Sequence, residues 1–256
     1  MSDTLRTLLI LCPMVFLAGF IDSIAGGGGL ISLPAYLLCG FPAHVALGSN
    51  KMSSAVGTLI ATCRYWRNGA VDIKVGLSAG LLALVGSAAG ARLAIAVSDR
   101  FLRTMLLILL PVVAAIILFR RQGGEIDPSS SLPARKSIVI ASMIGLVIGA
   151  YDGFFGPGTG TFLILAFTGL LHFDYTKASG TAKVVNLSSN IAALAMFMLS
   201  SNVAFWAAIP AAACSVAGNW IGSGMAIRRG AKFIRLVLVV VLALLFVRLL
   251  YDFIVS

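Results

Sequence analysis

The chain has 256 residues, 59% of them hydrophobic and 11% charged, with a mean hydropathy of +1.02. Soluble domains carry about 25% charged and about 45–50% apolar residues, so a globule in water built from this chain would lack the polar surface to stay dissolved. The formal net charge of +10 would suit a nucleic-acid binder. Most of the cations, however, sit in short loops between apolar stretches, as membrane topology determinants do, so the expected surroundings are a lipid bilayer with no nucleic-acid partner.

Apolar stretches cover 7–21, 75–97, 104–119, 137–150, 203–227 and 236–250. Several match the roughly 20 residues a spanning helix needs, and none alternates with period two, which favours helices over a barrel. The first stretch leads into more apolar sequence, without a small-residue cleavage site and a polar mature domain, so it reads as a first helix and not a signal peptide. It runs into Asp22-Ser-Ile-Ala-Gly-Gly-Gly-Gly29. Consecutive glycines cost about 1 kcal/mol each in a helix interior, so the helix breaks there. The apolar segment after the break, 30–39, is too short to cross comfortably. Gly48-Ser-Asn-Lys51 then introduces a helix with the hydroxyl residues Ser53, Ser54 and Thr58.

The one long polar segment, 121–135, contains Gly123-Gly124 and Asp127-Pro-Ser-Ser-Ser-Leu-Pro133 and reads as an exposed linker. Beyond it the pattern returns. An apolar stretch runs into Asp152-Gly-Phe-Phe-Gly-Pro-Gly-Thr-Gly160, a short apolar segment follows at 161–171, and Gly180-Thr-Ala-Lys183 introduces a helix with Asn186, Ser188, Ser189 and Asn190. Cys12, Cys39, Cys63 and Cys214 lie in apolar sequence without metal-ligand spacing and read as small hydrophobes. His44 and His172 fall at loop edges and carry no expected role; no metal or other cofactor is expected.

The two parts align residue by residue. Gly19, Asp22, Gly26 and Gly28 recur as Gly149, Asp152, Gly156 and Gly158 at a spacing of 130. Gly48, Lys51, Gly86, Gly90, Phe101 and Arg103 recur as Gly180, Lys183, Gly218, Gly222, Phe233 and Arg235 at a spacing of 132. The expected fold is therefore an all-α polytopic membrane protein of two homologous repeats, 1–122 and 137–256, joined by a polar linker at 123–136. Each repeat has a glycine-broken helix and about four to five membrane segments. The loop near Arg64, Arg67 and Lys74 is basic and its counterpart at 200–204 is uncharged, which favours inverted repeats. The turn near Arg92, Asp99, Arg100 and Arg103, the counterpart of the strongly basic turn near Arg228, Arg229, Lys232 and Arg235, is also positive, which leaves parallel repeats open.

A break within lipid strands backbone groups and is tolerated where it is buried in protein or lines a watery cavity. The segment after each break starts with free N–H groups and a positive partial charge, and glycine lets an anion approach them. Matched broken segments in two halves are the sequence pointer to a transporter's substrate site. The expected substrate-binding residues are Gly26, Gly27, Gly28 and Gly29 with Ser49, Asn50 and Lys51 in the first half. In the second half they are Gly156, Gly158, Thr159 and Gly160 with Thr181, Lys183 and Asn186. Asp22 and Asp152 are the acids embedded in apolar helices. Two readings stand for them: carriers of a coupling proton, or caps and lysine partners that hold the breaks together. For Gly86/Gly90 and Gly218/Gly222, at helical spacing, close helix packing is the better reading.

The segments Ile21-Asp22-Ser-Ile-Ala-Gly-Gly-Gly-Gly-Leu-Ile-Ser-Leu-Pro34, Leu47-Gly-Ser-Asn-Lys51, Gly149-Ala-Tyr-Asp-Gly-Phe-Phe-Gly-Pro-Gly-Thr-Gly160 and Lys177-Ala-Ser-Gly-Thr-Ala-Lys183 resemble the sulfite exporter TauE/SafE family, over essentially the whole chain. The resemblance implies a multi-pass transporter of the bacterial inner membrane whose substrates are small anions such as sulfite or an organosulfonate, with export favoured over import. No Walker-type Gly-x-x-x-x-Gly-Lys-Ser/Thr is present, so a secondary transporter coupled to an ion, a proton first, is expected. An oligomer is compatible with this reading. The alternative is an anion channel with a glycine-lined pore. An enzyme is not expected, since two isolated histidines and two distant acids form no catalytic cluster.

Overall fold

In the computed structural model, residues 3–119 and 132–255 are described, with side chains at 4–110, 112–113, 132–230 and 233. The expected linker at 123–136 falls outside the described residues up to 131, and the side chains of Lys232 and Arg235 fall outside them as well. The described residues form helices joined by short turns and no strands: α1 Asp3–Ala25, α2 Gly29–Leu38, α3 Ala43–Arg67, α4 Ile73–Ala96, α5 Asp99–Phe119, α6 Ala134–Phe154, α7 Thr159–Leu171, α8 Tyr175–Leu199 and α9 Phe205–Val255. Gly230, with φ 69° and ψ −164°, is a non-helical residue inside α9.

Four helical segments are long and apolar enough to cross a bilayer: Thr4–Ala25, Ile73–Ala96, Ala134–Phe154 and Tyr175–Leu199. At 10 and 13 residues, α2 and α7 reach only about 15–20 Å, against a hydrocarbon core of about 30 Å. With 25 residues α3 has the length, but it carries Lys51, Arg64 and Arg67. Many long apolar side chains point outward, among them Leu77, Leu81, Val85, Leu93 and Val147, each more than half exposed. That is the surface of a protein whose solvent is lipid. The chain is therefore a multi-pass, all-helical membrane protein.

Small residues set the packing, as between membrane helices generally. A methyl added at Gly86 would lie 2.2 Å from the Leu146 carbonyl oxygen of α6, and one added at Gly218 would lie 2.2 Å from the Phe16 carbonyl oxygen of α1. The glycines expected to serve packing do so, and they seat α4 on α6 and α9 on α1.

The contact order along each helix pair fixes its direction. Gly145, Gly149 and Gly153 of α6 meet Ala79, Ala83 and Ser87 of α4 in ascending order, so these two helices run parallel. Along α3, Ser49 meets Ala204, Gly57 meets Ser215 and Arg64 meets Trp220, so α3 runs parallel to α9. By contrast, Gly48 at the start of α3 meets Asn202 beyond the end of α8, and Gly180 near the start of α8 meets Ala70 beyond the end of α3. Thus α3 and α8 are antiparallel. These directions gather Arg64, Arg67, Lys74, Arg135, Lys136, Lys177, Arg228 and Arg229 at one end of the bundle. Arg92, Arg100 and Arg103 lie at the other end, with Asp99 and the uncharged turn after α8.

Candidate functional site

Both glycine-rich breaks form where the sequence places them. After Ala25 the chain passes through Gly26 (φ 74°) and Gly27 (φ 82°) into α2; after α6 it passes through Gly156 (φ 93°) and Gly158 (φ 85°) into α7. Left-handed backbone at these φ values strongly favours glycine. The two breaks lie against each other. Thr161 Oγ donates to the Ala25 carbonyl at 3.1 Å, and a methyl on Gly26 would lie 2.2 Å from the Thr161 nitrogen.

Two ion pairs tie the breaks to the hydroxyl-rich helices. Lys51 of α3 meets Asp152 at 2.8 Å, and Lys183 of α8 meets Asp22 at 2.6 Å. Lys183 also donates to the Asp22 backbone carbonyl. The Asp152 carboxylate accepts from Thr159 Oγ at 2.8 Å and from Ser189 Oγ at 2.6 Å. Asp22 Oδ1 accepts the Gly28 N–H at 3.3 Å. A lone charge buried in low dielectric is very costly, and each of these four has an opposite partner, with further hydrogen bonds to Asp22, Asp152 and Lys183. The pairs differ in access. The Lys51 and Asp152 side chains are 2% and 3% exposed, whereas Lys183 is 0% and its partner Asp22 is 16% exposed.

A small polar cavity of about 30 Å³ opens beside the breaks. Of the residues expected at the site, Gly27, Gly28, Gly29, Asn50 and Lys51 line it from the first half. Gly156, Gly158, Thr159, Gly160 and Asn186 line it from the second, and both acids, Asp22 and Asp152, reach it. Four expected residues do not line it. Gly26 is covered by α7, and Lys183 is sealed against Asp22. Ser49 Oγ accepts the Ala204 N–H at 2.9 Å, and Thr181 Oγ accepts the Asp72 N–H at 3.0 Å, so both hold the ends of neighbouring helices. Ser215 and Asn219 of α9 also line the cavity and fall outside the sequence-based expectations. The available signal was an amide in an otherwise apolar helix, one residue after the packing glycine Gly218.

Chemically, one ammonium, Lys51, and two carboxylates, Asp22 and Asp152, line the cavity, and the formal charge balances once Lys183, sealed behind Asp22, is counted. The backbone adds the positive dipole ends of α2 and α7 to its wall, although the Gly28, Leu30, Ile31 and Thr159 N–H groups there already have acceptors within the breaks.

Residues 11–249 match the sulfite exporter TauE/SafE family. The chain is 37% identical over 245 residues to a probable membrane transporter protein (ORF9) of a Sinorhizobium species, covering 96% of this chain and 93% of the relative. It is 34% identical to a probable membrane transporter protein of Haemophilus influenzae, covering 96% and 95%, and 34% identical to YfcA of Escherichia coli K12, a probable membrane transporter protein, covering 98% and 95%. No solved structure matches the chain. These names indicate a transporter rather than an enzyme. Long apolar helices, two broken helices meeting at a polar cavity and a match over nearly the whole length lead to one conclusion: the chain belongs to the sulfite exporter TauE/SafE family of membrane transporters.

Proposed function

We propose that the protein is a secondary transporter, an exporter of a small anion such as sulfite or an organosulfonate, working across the bacterial inner membrane. The anion binds in the cavity between the two glycine breaks, against the N-terminal ends of α2 and α7 and within reach of Lys51. The observation that carries this reading is the meeting of both breaks with both lysine–aspartate pairs around one polar cavity. Each pair joins a lysine from one half of the chain to an acid from the other.

The same reading takes the two halves as inverted repeats. Lys51 and Lys183 stand at matching positions of α3 and α8, and the antiparallel course of these helices supports inversion. So does the larger number of cations at the end that carries Arg64, Arg67, Lys74, Arg135, Lys136 and Lys177, which by the positive-inside rule faces the cytoplasm, against the fewer at the end with Arg92, Arg100 and Arg103. Inverted repeats with half-helices meeting at a central site are a recurring transporter architecture, in which one unit rocks against the other to expose the site alternately.

Balanced charge in the cavity changes the argument for an anion. The lysines do not supply net positive charge, because each has a carboxylate. The attraction rests on the positive dipole ends of α2 and α7 and on Lys51, whose acid keeps two hydroxyl donors when the ammonium turns toward a ligand.

The test is flux in proteoliposomes loaded with sulfite, with and without a pH gradient. Flux that saturates and reverses with the gradient supports coupled export. Flux that follows only the sulfite potential makes the protein a channel. Absence of sulfite and sulfonate flux from folded protein removes the anion reading.

A further inference from the structure

Asn219 Oδ1 on α9 is a buried acceptor with no hydrogen-bond partner among the described residues. The residue is 2% exposed and lines the cavity. Leaving such an atom unpaired forfeits the hydrogen bonds it had to water, so a buried orphan calls for an explanation. The orientation of the amide follows from its neighbours. Asn219 Nδ2 donates to the Ser215 carbonyl at 2.9 Å and to Ser215 Oγ at 3.3 Å. A carbonyl can only accept, so turning the amide would set two oxygens face to face. The unpaired group is therefore an acceptor, and what completes it is a donor.

Its position relative to the anion end of the cavity follows from the packing. A methyl on Gly19 of α1 would lie 2.7 Å from Asn219 Nδ2, and a methyl on Gly28, the N-cap of α2, would lie 2.5 Å from the carbonyl oxygen of the adjacent Ala18. Asn219 thus packs on the same stretch of α1 as the N-terminal end of α2. A second orphan acceptor, Asn50 Oδ1, lines the same cavity. Asn219 packs on Gly57, seven residues along α3 from Asn50, or about 10 Å. The two oxygens therefore do not converge on one metal ion.

A fully ionised oxyanion has only acceptors. It would meet the positive ends of α2 and α7 and leave the Asn219 oxygen bare. We propose that Asn219 is a specificity residue: its carbonyl oxygen selects anions that carry a hydrogen-bond donor, a hydroxyl or ammonium, a short chain away from the acidic group. This rests on the anion-transporter reading and narrows it. A simple oxyanion enters the site but leaves a buried group unpaired, whereas a donor-bearing anion completes it.

The test compares two probes of equal length, 2-hydroxyethanesulfonate and propane-1-sulfonate, which differ by a hydroxyl in place of a methyl. Their affinities are measured by calorimetry on the purified full-length protein. Wild type is expected to prefer the hydroxyl compound by about tenfold, the ratio that one well-made hydrogen bond supports. Asn219→Ala is expected to bring the ratio near one. Equal affinities in wild type overturn the assignment without touching the anion reading, and a sodium requirement alongside equal affinities gives the oxygen to a cation instead. Binding of neither sulfonate, nor of sulfite, overturns the anion reading and this assignment with it. The wild-type comparison decides the question even if the variant does not fold.

Discussion

Lys51 and Asp152 form a buried ion pair at 2.8 Å between helices from opposite halves of the chain. A pair of this kind adds little net stability over a well-packed apolar pair, but removing one partner strands the other charge. Lys51→Ala is expected to destabilise the folded protein by about 3–5 kcal/mol, and the double variant Lys51→Ala/Asp152→Ala by clearly less. Thermal unfolding in detergent reads both. If the single and double variants unfold alike, the two groups are not coupled. The double variant also makes a binding experiment interpretable: it is expected to fold yet lose the sulfite-dependent rise in unfolding temperature, because Lys51 lines the cavity.

Glycine substitutions are expected to separate contact from backbone strain. Gly26 has φ 74° and its added methyl would lie 2.2 Å from the Thr161 nitrogen; Gly40 has φ 85° and open space around it. Gly40→Ala bears only the left-handed backbone cost, about 1–2 kcal/mol. Gly26→Ala bears that cost and also forces the two breaks apart. The expectation is a modest fall in unfolding temperature for Gly40→Ala with transport retained, and loss of folded protein or of transport for Gly26→Ala. Equal behaviour of the two would mean that the breaks do not need to touch.

Much of this site was legible in the sequence, and the reasons it was not wholly so are physical. Runs of glycine cannot continue a helix in lipid, so the breaks at 26–29 and 156–160 followed from residue type alone. The equivalence of Lys51 with Lys183 and of Asp22 with Asp152 followed from constant spacing. Spacing says which residues are alike, not which ones touch. Each lysine pairs with the other half's acid, and that depends on α3 and α8 crossing in opposite directions. Hence the lysines, expected from sequence among the substrate-binding residues, are neutralised in the fold by the acids that one of the two sequence readings made lysine partners. Ser49 and Thr181 sit beside the lysines in sequence, yet on a helix adjacent residues point to different sides, and theirs is the side that holds Ala204 and Asp72. Asn219 was hidden by its neighbours, since Gly218 and Gly222 made that stretch of α9 read as a packing face.

An acid-dependent stability is expected at the basic end. Asp72 caps α4 and pairs with Lys177 at 2.9 Å. Burial acts to raise its pKa, but the Lys177 ammonium and the Val75 N–H outweigh it and hold the carboxyl below its usual range. A depressed carboxylate contributes stability that is complete above the unfolded pKa and lost as the pH falls through the folded one. Wild type is therefore expected to exceed Asp72→Asn in unfolding temperature by a constant margin above about pH 5, and the margin is expected to shrink below about pH 4. The pair is partly exposed, which puts its margin in the range of about 0.2–1 kcal/mol. A margin independent of pH would mean that the cap and pair do not depend on the charge of Asp72.

Proton coupling, if carried by an acid of the cavity, should pass through Asp22 before Asp152. Both are paired with lysine, but Asp22 is 16% exposed while Asp152 is 3% exposed and holds two hydroxyl donors besides Lys51. A group that exchanges protons with the aqueous phase needs access to it. Protonating Asp22 would loosen its hold on Lys183 and on the Gly28 N–H, and so release the first break from α8. Such a change gives one proton a lever on helix position. Asp22→Asn, which mimics the protonated acid, also removes the partner of buried Lys183, but that ammonium keeps the Asp22 backbone carbonyl and lies outside the cavity. The variant is therefore expected to be less stable yet leave sulfite exchange at equal pH measurable while removing its acceleration by a pH gradient. Asp152→Asn is expected to lower exchange at every pH, because it strands Lys51. Initial rates in proteoliposomes at several imposed gradients separate the two. Unchanged gradient dependence in both variants would leave the acids as ties between the halves and send the search for the coupling ion elsewhere.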